Sequence, residues 1–256
     1  MSVIFFAAAS LFQFKVLLRS PIQLVIAVVV PIARTAIVVA MFRAGTSDNS
    51  ITLAVVGAGL VGVWSSVLFG SAGAIQNERW RGTLELLVLA PRSLASVLLP
   101  VTTASALLGL IGVFASLVFA GLFLDVQISL DQPLMFLLAL TVFIFSLSFL
   151  GLLLATAFVW LPNANAFANT LEYPIWIISG LVLPLTALPA WLQLVGDTLP
   201  PTWGATAIRA AVDGGAVGVP VGVCAALGLA ALFLGWLAVG RTELRARTDG
   251  TLGLRG

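Results

Sequence analysis

Long apolar runs alternate along the chain with short polar or turn-forming pieces. After Pro21 the run IQLVIAVVVPIARTAIVVAM contains Pro31 and Arg34 but is otherwise almost wholly apolar. A bilayer core of about 30 Å takes about 20 residues of helix, so this run predicts a first membrane span over 22–42. The same criterion predicts spans over 51–75, 96–124, 133–160, 168–183 and 219–240, six in all. Residues 1–20 read as an interfacial connecting helix, with Lys15 and Arg19 one turn apart. The stretch 184–218 is too rich in Pro and Gly for one straight helix and too apolar for a solvated loop. It predicts a broken, re-entrant outer segment before the last span.

Composition narrows the class. Hydrophobic residues make up 61% of the 256 and charged residues 9%, where soluble domains carry roughly a quarter charged. The expectation is an all-α integral membrane protein, one transmembrane domain over 1–256. Histidine is absent and Cys224 is the sole cysteine, which closes off disulfides, a thiolate or imidazole metal site and histidine acid-base catalysis. No catalytic residue and no metal ligand is assigned. The only lysine, Lys15, lies in no glycine-rich loop, so the chain has no phosphate-cradling motif for ATP. A net charge of +2 gives no reason to expect a nucleic-acid partner. No charge precedes the first apolar run, unlike a cleaved leader, so the N-terminus reads as part of the mature protein.

The basic residues sort topology instead. With both termini cytoplasmic, Lys15, Arg19, Arg79, Arg81, Arg92, Arg241, Arg245, Arg247 and Arg255 lie inside, against Arg43 and Arg209 outside. The loop 76–95 and the tail 241–256 are then cytoplasmic. No internal repeat is visible, so the inverted-repeat architecture of many secondary transporters gains no support.

Drawn as one helix, NERWRGTLELL puts Glu78, Arg81, Gly82 and Glu85 on one arc and Trp80, Thr83, Leu84 and Leu87 on the other. Glu78/Arg81 and Arg81/Glu85 then fall at pairing distance. Periodicity alone favours an interfacial anchor over a docking site. The wording of the segment adds to this: E-R-x-x-G-T-L-E-x-L at 78–87, followed by Ala90-Pro91, resembles the inner-loop signature of type-2 ABC exporter permeases of the drug- and antibiotic-exporter kind. A second match, P-L-x-x-L-P-x-W-L, then P-P-T and Arg209, resembles that family's re-entrant outer hairpin.

The resemblance implies a coupling helix in which Glu78, Arg79, Arg81, Gly82, Thr83, Leu84 and Glu85 meet an ATPase subunit. It implies two ATPase copies binding ATP and Mg, a second permease copy, identical or homologous, and a place in the plasma membrane. The chain itself would be no enzyme and hold no cofactor. Its expected work is ATP-driven export of a hydrophobic or amphipathic molecule: a drug, antibiotic, peptide or lipid. The alternatives are an ATP-independent secondary transporter or channel, and an intramembrane enzyme, for which the chain offers little chemistry.

Two further features lie inside the spans. Ala58, Gly62, Ser66, Gly70 and Ala74 form a ridge of small side chains that predicts close helix packing, within the subunit or across a dimer seam. Arg34 and Glu172 are ionisable residues at bilayer depth, and neither should face lipid. They mark the translocation path or a buried charge network, and the network is the favoured reading. Helix rise sets them on the order of 10 Å apart in depth, so a direct bridge requires tilt or offset.

Overall fold

The structure, a computed structural model, describes residues 3–43, 48–89, 93–126, 130–182 and 185–249. All regular structure among them is helical: α1 (Val3–Leu18), α2 (Pro21–Arg43), α3 (Asp48–Trp80), α4 (Leu84–Leu89), α5 (Ala95–Phe123), α6 (Pro133–Val159), α7 (Ala164–Ile178), α8 (Ala190–Gly196), α9 (Pro200–Val212) and α10 (Gly218–Asp249), with a 3-10 turn at Leu185–Ala187. Helix starts follow local chemistry. Pro21, Pro133 and Pro200 stand in first turns, where a missing N–H costs nothing. The Asn163 side chain caps α7 by accepting from the Ala166 amide at 3.2 Å.

α2, α3, α5, α6 and α10 are long and apolar enough to cross a membrane. Their order of burial gives the architecture. In α3, 83% of the apolar window is buried, against 22% in α2 and in α10, so α3 is the axis and the other two lie at the rim. α3 packs against α2, α5, α6 and α7, and α6 in turn carries α9 and α10. The predicted fifth span, 168–183, falls on α7, whose 15 residues rise only about 22 Å and fall short of a bilayer core by themselves.

With lipid outside, apolar burial does not distinguish one helix pair from another, so close packing decides. At Gly62 and Gly70 the neighbours are Pro31 of α2 and Ser105 of α5, both in the same chain. Pro31 sits in a notch between Gly62 and Gly112: an added Cβ would lie 3.1 Å and 2.7 Å from its ring. Several buried hydroxyls are satisfied locally: Ser71, Thr103, Ser105, Ser148 and Thr156 each donate to the carbonyl one turn back in their own helix.

Candidate functional site

The signature segment does not form one helix. α3 ends at Trp80, and Gly82, at φ +68°, takes the left-handed conformation that terminates it. The Thr83 amide donates to the Glu78 carbonyl at 2.9 Å and the Gly82 amide to the Arg79 carbonyl at 3.0 Å, the two bonds of a Schellman cap. The Thr83 hydroxyl also donates to the Glu78 carboxylate at 2.6 Å. The chain then turns into the six-residue α4. The expectation of a continuous amphipathic helix over 78–87 is therefore corrected: glycine in that position supplies a corner. Glu78, Arg79 and Trp80 belong to the end of α3, Arg81 and Gly82 to the exposed corner, and Leu84 is buried at the start of α4. Trp80 is 72% exposed. The Glu85 side chain and residues 90–92 lie outside the described part.

The corner is tied to the bundle on both sides. Arg79 reaches the end of α6, donating to the carbonyls of Val159 and Pro162 at 2.9 Å each and to that of Leu161. A cation there complements the carbonyl end of α6. One turn earlier, Gln76 accepts from the Ala164 amide at 3.1 Å, at the amide end of α7. On the far side of the loop the Leu94 amide donates to Glu243 of α10. Arg79 is thus spent on the α6–α7 turn, while Arg81 is exposed.

Arg34 and Glu172, placed apart by depth, are brought together. The guanidinium donates to the Glu172 carboxylate at 2.7 Å and to the Ser65 hydroxyl at 3.0 Å, and that hydroxyl donates to the same carboxylate at 2.7 Å. The Glu172 side chain is 7% exposed and that of Arg34 28%. Two features close the gap. Pro31 in its notch holds α2 close to α3 a turn below Arg34. α7 begins level with Gln76, well inside the end of α3, which raises Glu172 toward Ser65. A lone ion at this depth would cost several kcal/mol, and the pairing offsets that cost.

At the opposite end of the bundle, the described residues 185–217 form a 3-10 turn, α8 and α9 in place of one straight helix. Arg209 of α9 donates to the carbonyls of Gly180 and Leu181, just past the end of α7. Phe143 of α6 fills the space left by Gly204. Among the described residues no cluster of His, Cys, Asp or Glu could hold a metal ion, and the buried Cys224 thiol donates to the Pro200 carbonyl.

Sequence reasoning missed Ser65, Gln76 and Glu243. A lone Ser or Gln in an apolar helix carries no periodic signal, and Glu243 falls in the tail 241–256, where sequence alone gives it no partner.

Set beside known proteins, residues 5–212 match the family described as ABC-2 type transporter. A search of curated proteins found no match.

Proposed function

The chain belongs to the ABC-2 type transporter family and is a membrane-spanning permease of an ABC transporter, and from that premise we propose that it works as an ATP-driven exporter with a separate ATPase chain. Two permease copies, identical or homologous, pair in the plasma membrane and receive two ATPase subunits on the cytoplasmic side, where ATP and Mg are bound. That side is the end of Arg79, which also holds Lys15, Arg19, Arg81 and Arg241, in keeping with the positive-inside rule. The cargo class is a hydrophobic or amphipathic small molecule, drug or antibiotic among them. The almost wholly apolar lengths of the spans support this over a polymer.

The observation that carries the reading is the anchored corner. A docking element transmits force only if it is rigid and attached to what must move. Here Gly82 fixes its angle, Arg79 binds it to the α6–α7 turn, and Glu243 binds the start of α5 to α10.

Six crossings and cytoplasmic termini belong to the same proposal. The Ala164 amide meets Gln76, and the Leu181 carbonyl lies against Gly57. Between Gln76 and Gly57 α3 rises roughly 28 Å, close to a bilayer core, so the short α7 with its following turn covers the depth of a crossing.

The test is reconstitution with a partner ABC ATPase chain. ATP hydrolysis and outward transport are expected only with both chains present, and hydrolysis by this chain alone would end the reading. The interior ion pair is what an ATP-independent carrier would use. Transport driven by a proton gradient with no ATPase present would favour that alternative.

A further inference from the structure

α7 differs from its neighbours in how it is held. Only Ala164, Ala168 and Glu172 of its residues are buried, four apart on one stripe toward the bundle. The shorter α9 buries nine. The fully buried apolar contacts of α7 are two alanine methyls, and its larger side chains Leu171, Ile175 and Trp176 pack against the core only half-buried; such packing resists sliding less than fully interdigitated large residues do.

Polar contacts add to this packing, at three heights. At its start are Gln76 and, on the turn before it, Arg79. In its middle, Glu172 meets Arg34 of α2 and Ser65 of α3. Past its end, Arg209 binds the Gly180 and Leu181 carbonyls. Hydrogen bonds of this kind have discrete made and broken states. Pro174, two residues after Glu172, removes one bond of the helical ladder and gives α7 a soft point just beyond the ion pair.

The two contacts at the start are special in their neighbours. Gln76 and Arg79 lie on consecutive turns of α3, and the Gly82 corner follows at once. A push on the corner therefore reaches α7 by two side chains. Arg34 stands on α2, to which neither clip is joined, so a shift of α7 changes its distance to Glu172.

Resting on the permease reading above, we infer that α7 is the element that moves in the transport cycle, that Gln76 and Arg79 are the positioning residues through which the loop moves it, and that the Arg34–Glu172 contact opens in the alternate state. Docking and transmission are then separable: the exposed corner meets the ATPase, and Arg79 passes the displacement on.

The test uses the full chain reconstituted with its ATPase. Arg79→Gln is expected to bind the ATPase and support hydrolysis while the cargo moved per ATP falls about tenfold, within the range of allosteric coupling. Arg79→Lys keeps a cation at the α6 carbonyls and should recover much of the loss. Spin labels at the exposed positions Ile37 of α2 and Tyr173 of α7, with Cys224→Ser, should show an ATP-dependent distance change that Arg79→Gln abolishes. Wild-type stoichiometry in Arg79→Gln, or an unchanged label distance in a transporting complex, overturns the inference. Loss of ATPase binding in Arg79→Gln also overturns it, because Arg79 would then be a docking contact. Should the Arg79 variants not fold, Gln76→Met, of similar volume but without the acceptor, carries the same expectation, and normal coupling there overturns the inference. A wild-type chain that recruits no ATPase fails earlier, at the permease reading.

Discussion

Arg34 and Glu172 stand 138 positions apart in the chain and meet at 2.7 Å between α2 and α7, with Ser65 of α3 hydrogen-bonded to both. Removing one partner leaves the other as an unpaired charge. Arg34→Leu or Glu172→Leu should each destabilise by roughly 3–5 kcal/mol, and the double replacement by less than the sum, because no orphan ion remains. Thermal melts of the four proteins in detergent measure this. Additive losses would mean the pair is not coupled. Retained stability with altered transport in both single variants would assign the charges to the translocation path.

Gly82 offers a cleaner probe of the corner. Among the described residues, no atom beyond its chain neighbours lies within 4 Å of where its Cβ would be, so Gly82→Ala introduces backbone strain alone. The expected cost is about 1 kcal/mol, confined to the cap, with membrane insertion unchanged and ATPase binding weakened. Unaltered binding would show that the angle of the corner does not matter for docking.

Charge at the corner is testable separately. Glu78→Lys with Glu85→Lys should leave insertion intact, since positive charge on the inner side is tolerated, while weakening the ATPase complex. Thr83→Val keeps both charges but removes the hydroxyl that donates to Glu78. It should have the smaller effect. A double reversal that binds and transports normally would reduce the segment to a membrane anchor.

Accessibility labelling checks orientation. Cysteines placed in 43–50 should react from outside, and those in 76–95 from inside. The opposite result at both would turn the docking surface away from the ATPase.

The spans were legible because about 20 apolar residues have few alternatives to a membrane helix, and five of them lie within a few residues of their expected bounds. The ends on the Arg79 side run on: α3 continues through Gln76 to Trp80, and α10 continues to Asp249. The corner is hidden from helical periodicity, which runs on across Gly82, although a glycine after R-W-R and before threonine is itself a stop signal. The Arg34–Glu172 bridge was not readable as a contact, because helix offsets depend on where each helix begins. The Gln76–Ala164 bond that sets α7 is a tertiary fact. Arg79 illustrates the same limit. Its charge was visible, and its three carbonyl partners, some 80 residues away, were not.

The shortness of α7 bears on how the protein is made. A 15-residue helix carrying a glutamate is a weak signal for the insertion machinery, which charges a membrane-centre carboxylate about 2.5–3.5 kcal/mol. Yet α2 and α3, bearing Arg34, Ser65 and Gln76, precede it in the chain and emerge from the ribosome first. The receptors for α7 are therefore already in the bilayer when it arrives, so its entry is templated by earlier helices, and a defect at Ser65 or Arg34 would surface as a biogenesis fault in a segment synthesised a hundred residues later.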